Sequence, residues 1–118
     1  MGTTNIVQNI FILMSMLNDM KIREASIADK EELIEIWKNV FHDDDIFTRW
    51  YFDNHFSPEN STVCVVDGRI VSCVHSRPVT VIIQTNEITA NFIAGVSTLE
   101  EYRGHGFMRE SLLAHNKK

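Results

Sequence analysis

The chain has 118 residues, of which 44% are hydrophobic and 23% are charged. This is the composition of an ordinary globular protein, and the length suits a single domain. The formal net charge is −5, and no run of basic residues exceeds two. These two features argue against a nucleic-acid partner, which would require a basic surface.

An apolar run from Ile10 to Leu17 lies near the N-terminus. It is too short for a transmembrane helix, which needs about 20 apolar residues. No basic residue precedes Lys21, so the run also lacks the n-region of a signal peptide. We expect residues 1–19 to be an N-terminal extension, either an extra amphipathic helix or upstream sequence, and residues 20–118 to form the domain. We expect no membrane association.

The first predicted elements are one strand and two helices. Residues 20–25 alternate apolar and charged side chains, which is the pattern of a half-buried strand. Ser26 or Asp29 is placed to cap a helix whose apolar residues recur at helical spacing from 33 to 41. A second, aromatic-rich helix is predicted over residues 46–56.

The acidic segment His42 to Asp45 between these helices has three interpretations: a metal site, a rim that attracts a cationic substrate, or a solvated helix cap. We favour the cap and expect no metal, because one histidine beside adjacent aspartates lacks metal-ligand spacing. The aromatic residues of the two helices could line an acceptor pocket. Since aromatics at helical spacing usually pack between helix and sheet, we predict a core role for Trp37, Phe41, Phe47, Trp50, Tyr51 and Phe52.

Three further strands follow, rich in β-branched residues. The first two are joined by a two-residue turn at Asp67-Gly68. Pro78 lacks a backbone donor and therefore indicates a bulge or an edge position. The order strand, helix, helix, three antiparallel strands, helix predicts an α+β fold. The predicted strands cover residues 62–66, 69–74 with a continuation over 79–83, and 88–97.

Two cysteines, Cys64 and Cys73, lie in the first of these hairpins. With the two-residue turn, Cys64 would face Val71 and Cys73 would face Thr62. The cysteines would then be diagonal neighbours on one face, with Cβ atoms up to ~7–8 Å apart. A disulfide needs ~3.5–4.5 Å between these atoms. We therefore predict two buried free thiols, in keeping with a cytoplasmic protein.

The stretch most informative about chemistry begins where the fourth strand ends. It passes through Gly104 and Gly106 and into a helix that begins near Gly106. Glycines allow backbone N–H groups to approach a ligand closely, and the N-terminus of a helix attracts anions. A strand, a glycine loop and a helix N-terminus together are typical of a phosphate site. The loop matches neither a Walker loop nor a dinucleotide-binding fingerprint.

The segment Glu101-Tyr102-Arg103-Gly104-His105-Gly106-Phe107 resembles the pyrophosphate loop of the GNAT superfamily, whose pattern is Arg/Gln-x-x-Gly-x-Gly/Ala. Arg103 and Gly106 match this pattern, and Met108 stands where Gly or Ala is usual. Met108-Arg109 is similar to the branch related to mycobacterial aminoglycoside acetyltransferases. The resemblance extends over residues 20–118, because the order of strands and helices agrees as well.

The resemblance implies a GNAT-like mixed sheet with an antiparallel meander and flanking helices, which stops after the pyrophosphate-binding helix. It implies N-acetyl transfer, with acetyl-CoA as cosubstrate and a primary amine of a small molecule or peptide as acceptor. Backbone groups of Val96 and Thr98, or of Ser97 between them, would pair with the pantetheine arm. The residues that would hold the pyrophosphate are Arg103, Gly104, His105, Gly106, Phe107 and Met108.

No catalytic residue can be assigned, since Tyr102 belongs to the loop and Tyr51 to an early helix. His75 is expected to be structural, and His105 to face solvent or phosphate. An alternative function is a non-catalytic CoA-binding or interaction fragment, in which a partner strand pairs with the fourth strand. A homo-oligomer is compatible with both functions.

Overall fold

The computed structural model describes residues 20–117. Their four strands form one antiparallel sheet in the order β1-β2-β3-β4. The strands and helices follow one another in the predicted order, so the α+β fold with its antiparallel meander is confirmed. The expected extension, residues 1–19, lies outside the described residues. The elements are β1 (Lys21–Glu24), α1 (Lys30–Phe41), α2 (Asp45–His55), β2 (Ser61–Val66), β3 (Arg69–Ile83), β4 (Asn86–Thr98) and α3 (Phe107–Asn116).

Both faces of the sheet carry helices. On one face α1 and α2 cover a core that includes Leu33, Trp37 and Phe52. On the other face α3 places Phe107, which is 1% exposed, against Cys64 and neighbouring valines. No helix within residues 20–117 is long and apolar enough to cross a membrane.

The segment between α1 and α2 is a helix cap, as predicted. His42 ends α1 in the left-handed conformation with φ 58°. The Asp44 side chain accepts a hydrogen bond from the Phe47 N–H at 2.7 Å and thereby caps α2. Asp43 accepts from the Trp37 indole N–H at 2.9 Å, so its carboxylate also serves the fold.

The predicted core role of the helix aromatics is confirmed for three residues and wrong for the other three. Trp37, Tyr51 and Phe52 are buried and pack together, with the Trp37 and Tyr51 rings 4.8 Å apart. Helix α2 buries the side that carries Thr48, which turns Trp50 toward the opposite side. The three exposed aromatics are Phe41 (40%), Phe47 (45%) and Trp50 (52%).

The predicted register between β2 and β3, in which Cys64 faces Val71 and Cys73 faces Thr62, is wrong. A β-bulge beside Cys64 makes Val71 an extra residue, so that Cys64 lies opposite Ser72. A shift of one residue moves side chains to the other face. Cys64 consequently joins the α3 side and Cys73 the α1–α2 side. Both cysteines are buried and free, as predicted, and burial raises the pKa of each thiol to about 11.

Strands β3 and β4 extend well beyond the rest of the sheet. Strand β2 pairs with β3 only as far as His75, whereas β3 and β4 remain paired to Ile83 and Asn86. Residues 76–83 and 86–93 therefore form a two-stranded projection, which we call the ribbon. Pro78 lies in the ribbon, where β3 has a neighbouring strand on one side only among residues 20–117, so the predicted edge position is confirmed. The register shift lies at His75 and not at Pro78.

Candidate anion-binding site

Strand β4 turns into the glycine loop directly after its last ladder hydrogen bond, from the Leu99 N–H to the Val71 carbonyl at 2.9 Å. A 3₁₀ turn over Glu100–Tyr102 follows. Gly104 and Gly106 then adopt φ values of 83° and 82°, which only glycine reaches without strain. No heavy atom lies within 4 Å of the position a Cβ would occupy at either glycine, so the space beside both is open.

The first turn of α3 presents backbone donors to this open space. The first hydrogen bond within the helix runs from the Glu110 N–H to the Gly106 carbonyl at 3.0 Å. The N–H groups of Phe107, Met108 and Arg109 therefore have no acceptor in the helix, and Gly106 has no side chain to cap them. Together with the positive end of the helix dipole, these donors suit an anion.

Arg103 adds a cation to the same loop. Its Nε–H donates to the Thr98 carbonyl at 3.0 Å, which holds the side chain across the end of β4. Its guanidinium makes no ion pair with any residue between 20 and 117, whereas Arg69 pairs with Glu101 at 3.1 Å. Arg103 is thus the loop cation that remains available for a bound anion.

A cavity of about 230 Å³ lies between the end of β4 and the start of α3. His105 does not line it, because its half-buried ring packs on Phe107 at 5.9 Å between centroids. Tyr102, which the sequence analysis left outside the predicted site, does line the cavity. Its place within the loop motif was the only sequence feature that pointed to it. The lining residues are Thr98, Tyr102, Arg103, Gly104, Gly106, Phe107 and Met108.

The outer edge of β4 leads into the cavity. Because the Leu99 N–H points to β3, backbone alternation also directs the polar groups of Ser97 to β3. The polar groups of Val96 and Thr98 then point to the outer edge, which has no strand beside it within the described residues. The hydrogen bond from Arg103 to the Thr98 carbonyl agrees with this alternation.

The predicted site residues are therefore brought together only in part. The backbone of Val96, the backbone of Thr98 and the loop from Arg103 to Met108 lie along one continuous edge. The Ser97 side chain is 2% exposed, and its Oγ lies 3.1 Å from the Cys73 Sγ. Ser97 thus packs within the sheet, away from that edge.

His75 lies in the core, apart from the loop. The Ser61 hydroxyl donates to the Ser57 carbonyl at 3.0 Å and so accepts from the His75 Nδ1–H at 3.1 Å. The Nε2 atom is buried and has no hydrogen-bond partner among residues 20–117, and the aromatic rings around it include Trp37 and Phe52. Burial, with a smaller contribution from His115, lowers the pKa of His75 to about 4. This environment agrees with the structural role expected of His75.

Gly95 marks the closest approach of a helix to β4. A Cβ at this position would lie 2.6 Å from Cζ3 of Trp37, so the indole packs directly on the strand backbone. This contact was not among the predicted features. A glycine inside a strand is a recognised indication of close approach and could have predicted it.

The family model for the acetyltransferase (GNAT) domain matches residues 21–116. Comparison with curated proteins found no match. Among solved structures, a GCN5-related N-acetyltransferase from Anabaena variabilis has a TM-score of 0.74 and 19% identity; the match covers 83% of this chain and 25% of that protein. The chain spans only that quarter of its neighbour's length.

Two aminoglycoside acetyltransferases have the same fold. The enzyme AAC(6')-Iy in complex with CoA has a TM-score of 0.68 and 15% identity, over 83% of this chain and 67% of that one. The enzyme AAC(6')-Ih from Acinetobacter baumannii has a TM-score of 0.64 and 13% identity, over 83% and 69%. At these identities the structural likeness concerns the fold.

Proposed function

This chain belongs to the GNAT acetyltransferase family, and from that premise we propose that it binds acetyl-CoA and acts in acetyl transfer to a primary amine of a small molecule or peptide. The observation that supports the proposal most directly is the cavity lined by Arg103, Phe107 and Met108, at the first turn of α3, where backbone N–H groups have no acceptor in the helix. The neighbour AAC(6')-Iy, solved with CoA and with the bisubstrate analogue CoA-S-monomethyl-acetylneamine, also supports it.

The loop from Arg103 to Met108 holds the pyrophosphate in this proposal. The N–H groups at the start of α3 donate to phosphate oxygens, and Arg103 supplies charge-assisted hydrogen bonds. Because its Nε–H is already held by the Thr98 carbonyl, the guanidinium is partly ordered before a ligand arrives. Less conformational entropy is then lost on binding.

The outer edge of β4 holds the pantetheine arm. Its amides can pair with the Val96 carbonyl and with the Thr98 N–H, as an added strand pairs with a sheet edge. The thioester at the end of the arm then lies at the Val96 N–H. The Thr98 carbonyl is excluded from this pairing, because it accepts from Arg103. The arm therefore pairs with two backbone groups of β4, and Ser97 contributes neither of them.

In the transfer step, the lone pair of a neutral amine forms the N–C bond to the acyl carbon while the C–S bond breaks. The departing sulfur takes a proton, and the amine nitrogen loses one. The Val96 N–H is placed to donate to the acyl oxygen as negative charge develops there. Orientation of the thioester along β4 supplies a further part of the rate. We assign no general acid or base among residues 20–117.

Binding without transfer is the second candidate function. The unpaired outer edge of β4 favours it, because the same edge could accept a strand from a partner chain. The two candidates share the cavity and differ in whether an amine is acetylated.

Isothermal titration of acetyl-CoA into the full chain tests the site. We expect saturable binding that weakens about 10-fold to 100-fold in Arg103→Ala, since a hydrogen bond to a charged group contributes about 1.5–3 kcal/mol. Arg109→Ala is the matched control, because it removes the same charge from a side chain that is 77% exposed. Equal weakening in both variants, or no binding by the folded protein, would contradict the proposed site.

Release of free CoA thiol in the presence of primary amines separates the two functions. Amine-dependent thiol release that Arg103→Ala reduces supports acetyl transfer. Saturable binding without thiol release, over a panel of aminoglycosides, polyamines and peptides, favours the binding function.

A further inference from the structure

The ribbon has one apolar face. Directly opposed residues of antiparallel strands point to the same side, so every second pair shares a face. The face that carries His75 continues outward through odd-numbered residues of β3, and His75 itself contacts the core under α1 and α2. The ribbon therefore prolongs the α1–α2 side of the sheet, and no helix within residues 20–117 lies above it. Its apolar residues, which we call the shelf, are Val79, Val81, Ile83, Ile88, Ala90 and Phe92.

Most of the shelf is exposed to solvent. Phe92 is 59% exposed, Ile83 53%, Ile88 48% and Val81 38%. The opposite face of the ribbon is more polar: it pairs Thr80 with Thr89, and its isoleucines, Ile82 and Ile93, each lie opposite a polar residue. A sequence that alternates in this way has one face suited to burial.

Of the two outer edges of the ribbon, the one formed by β3 is protected against strand addition. Even-numbered residues of β3 direct their backbone groups away from β4, and Pro78 is one of them. Its missing N–H interrupts the edge on the side where a further strand would pair. A partner is therefore expected on the apolar face, not along this edge.

Helix α2 exposes a second apolar surface. Ile46 is 83% exposed, Phe47 45% and Trp50 52%. These three residues form what we call the α2 patch, on the side of the helix opposite the buried Thr48. An apolar helix stripe normally packs on a sheet, and an apolar sheet face is normally covered by helices.

We propose that two copies of this chain associate about a two-fold axis, with the α2 patch of each copy on the shelf of the other. In each copy the shelf extends beyond the helices on the same side of the sheet, and the α2 patch faces away from that sheet. A two-fold rotation can therefore bring each patch over the other copy's shelf, giving three layers: sheet, helices and sheet. Isologous contacts of this kind close on themselves.

The exposed areas favour this reciprocal arrangement over contact between two shelves. From the exposed fractions, each surface offers roughly 350 Å² of apolar side chain, so two patch–shelf contacts bury about 1,400 Å² in total. Specific interfaces bury about 1,200–2,000 Å². A contact between two shelves would bury only about 700 Å², half of the area buried by two patch–shelf contacts. Arg77, which lies opposite Phe92 at the end of the shelf nearest the core, is the one charged residue in the strand pairs that carry the shelf. The contact therefore buries little charge.

Sedimentation velocity of the full chain over a range of concentrations tests the association, which does not depend on acetyl-CoA binding. We expect a monomer–dimer equilibrium whose dissociation constant rises at least tenfold in Ile88→Lys and in Trp50→Lys. Thr89→Lys is the matched control, because it adds the same charge to the polar face of the ribbon. All three side chains are exposed, and circular dichroism checks that each variant keeps the fold.

Crosslinking identifies the surfaces in contact. Ile46→Cys and Ile88→Cys chains, treated with a bismaleimide, should give crosslinked dimers when mixed and few when separate; the native thiols are buried. Efficient crosslinking of Ile88→Cys chains alone would indicate contact between two shelves and would overturn the proposal. A monomer at every concentration would also overturn the proposal, as would equal disruption by Thr89→Lys.

Discussion

The two halves of the β3–β4 hairpin have the same antiparallel pairing but different surroundings. Next to β2, residues 70–75 are buried between α1 and α2 on one side and α3 on the other. In the ribbon, most side chains of the same two strands are exposed. Pairing continues through both halves with one register shift at His75. Strand formation thus follows the local sequence, whereas burial depends on the elements packed above the strands.

The largest expected difference between the halves is in the cost of removing an aromatic ring. Phe52→Ala should reduce the free energy of unfolding by about 3–5 kcal/mol, because Phe52 belongs to the face of α2 that covers the inner half of the hairpin, is 2% exposed, and packs on Trp37 and His75. Phe92→Ala, on the ribbon, should cost less than about 1 kcal/mol, because that ring is 59% exposed. Denaturant unfolding measures both values.

The unfolding experiments should use dilute protein, at which the proposed association makes no contribution to stability. Ile82→Ala provides a second ribbon variant, 70% exposed and on the polar face, for which we expect an equally small effect. Comparable losses in Phe52→Ala and Phe92→Ala would mean that the ribbon is covered within the single chain.

The half of the hairpin next to β2 contains His75, and this buried residue should make the free energy of unfolding depend on pH. The pKa of this buried residue is about 4, while the unfolded chain has an ordinary pKa of about 6.5. As the pH falls, the unfolded chain therefore takes up this proton first. The contribution of His75 to the free energy of unfolding is fully present above pH 6.5 and declines progressively toward pH 4, by about 3 kcal/mol at most.

His75→Phe isolates this contribution, because phenylalanine fills the aromatic surroundings and does not titrate between pH 6.5 and 4. We expect the variant to lose less stability than the native chain over that interval, measured by urea unfolding at several pH values. Parallel stability curves for the two proteins would show that His75 is not the group responsible.

Features set by local chemistry were predictable from the sequence. The turn at Asp67-Gly68, the cap at Asp44 and the glycine loop each depend on residues within a few positions of one another. The register at Cys64 was not predictable in this way, because the bulge satisfies packing on both faces at once. The direction of Trp50 likewise depends on which side of α2 meets the sheet.

The candidate site likewise has features that the sequence predicted and features that depend on the tertiary structure. The glycines and the cation of the loop were evident from their spacing in the chain. The hydrogen bond from Arg103 to the Thr98 carbonyl requires the final geometry of β4, so no sequence pattern indicated that this carbonyl is occupied. The burial of Ser97 against Cys73 is equally tertiary, since it joins residues 24 positions apart.

A smaller loss than that of Phe52→Ala is expected at the point where the covering helix is nearest to β4. Gly95→Ala places a methyl group 2.6 Å from Cζ3 of the Trp37 ring, and the ring must shift to accommodate it. We expect a loss of about 1–3 kcal/mol in the free energy of unfolding, as for other overpacked sites. A glycine in an uncovered strand would gain stability from the same change, because alanine reduces the entropy of the unfolded chain. The loss should therefore shrink in a Trp37→Leu background, which a double-mutant cycle measures. An equal loss in both backgrounds would place the strain in the β4 backbone and not in the contact with α1.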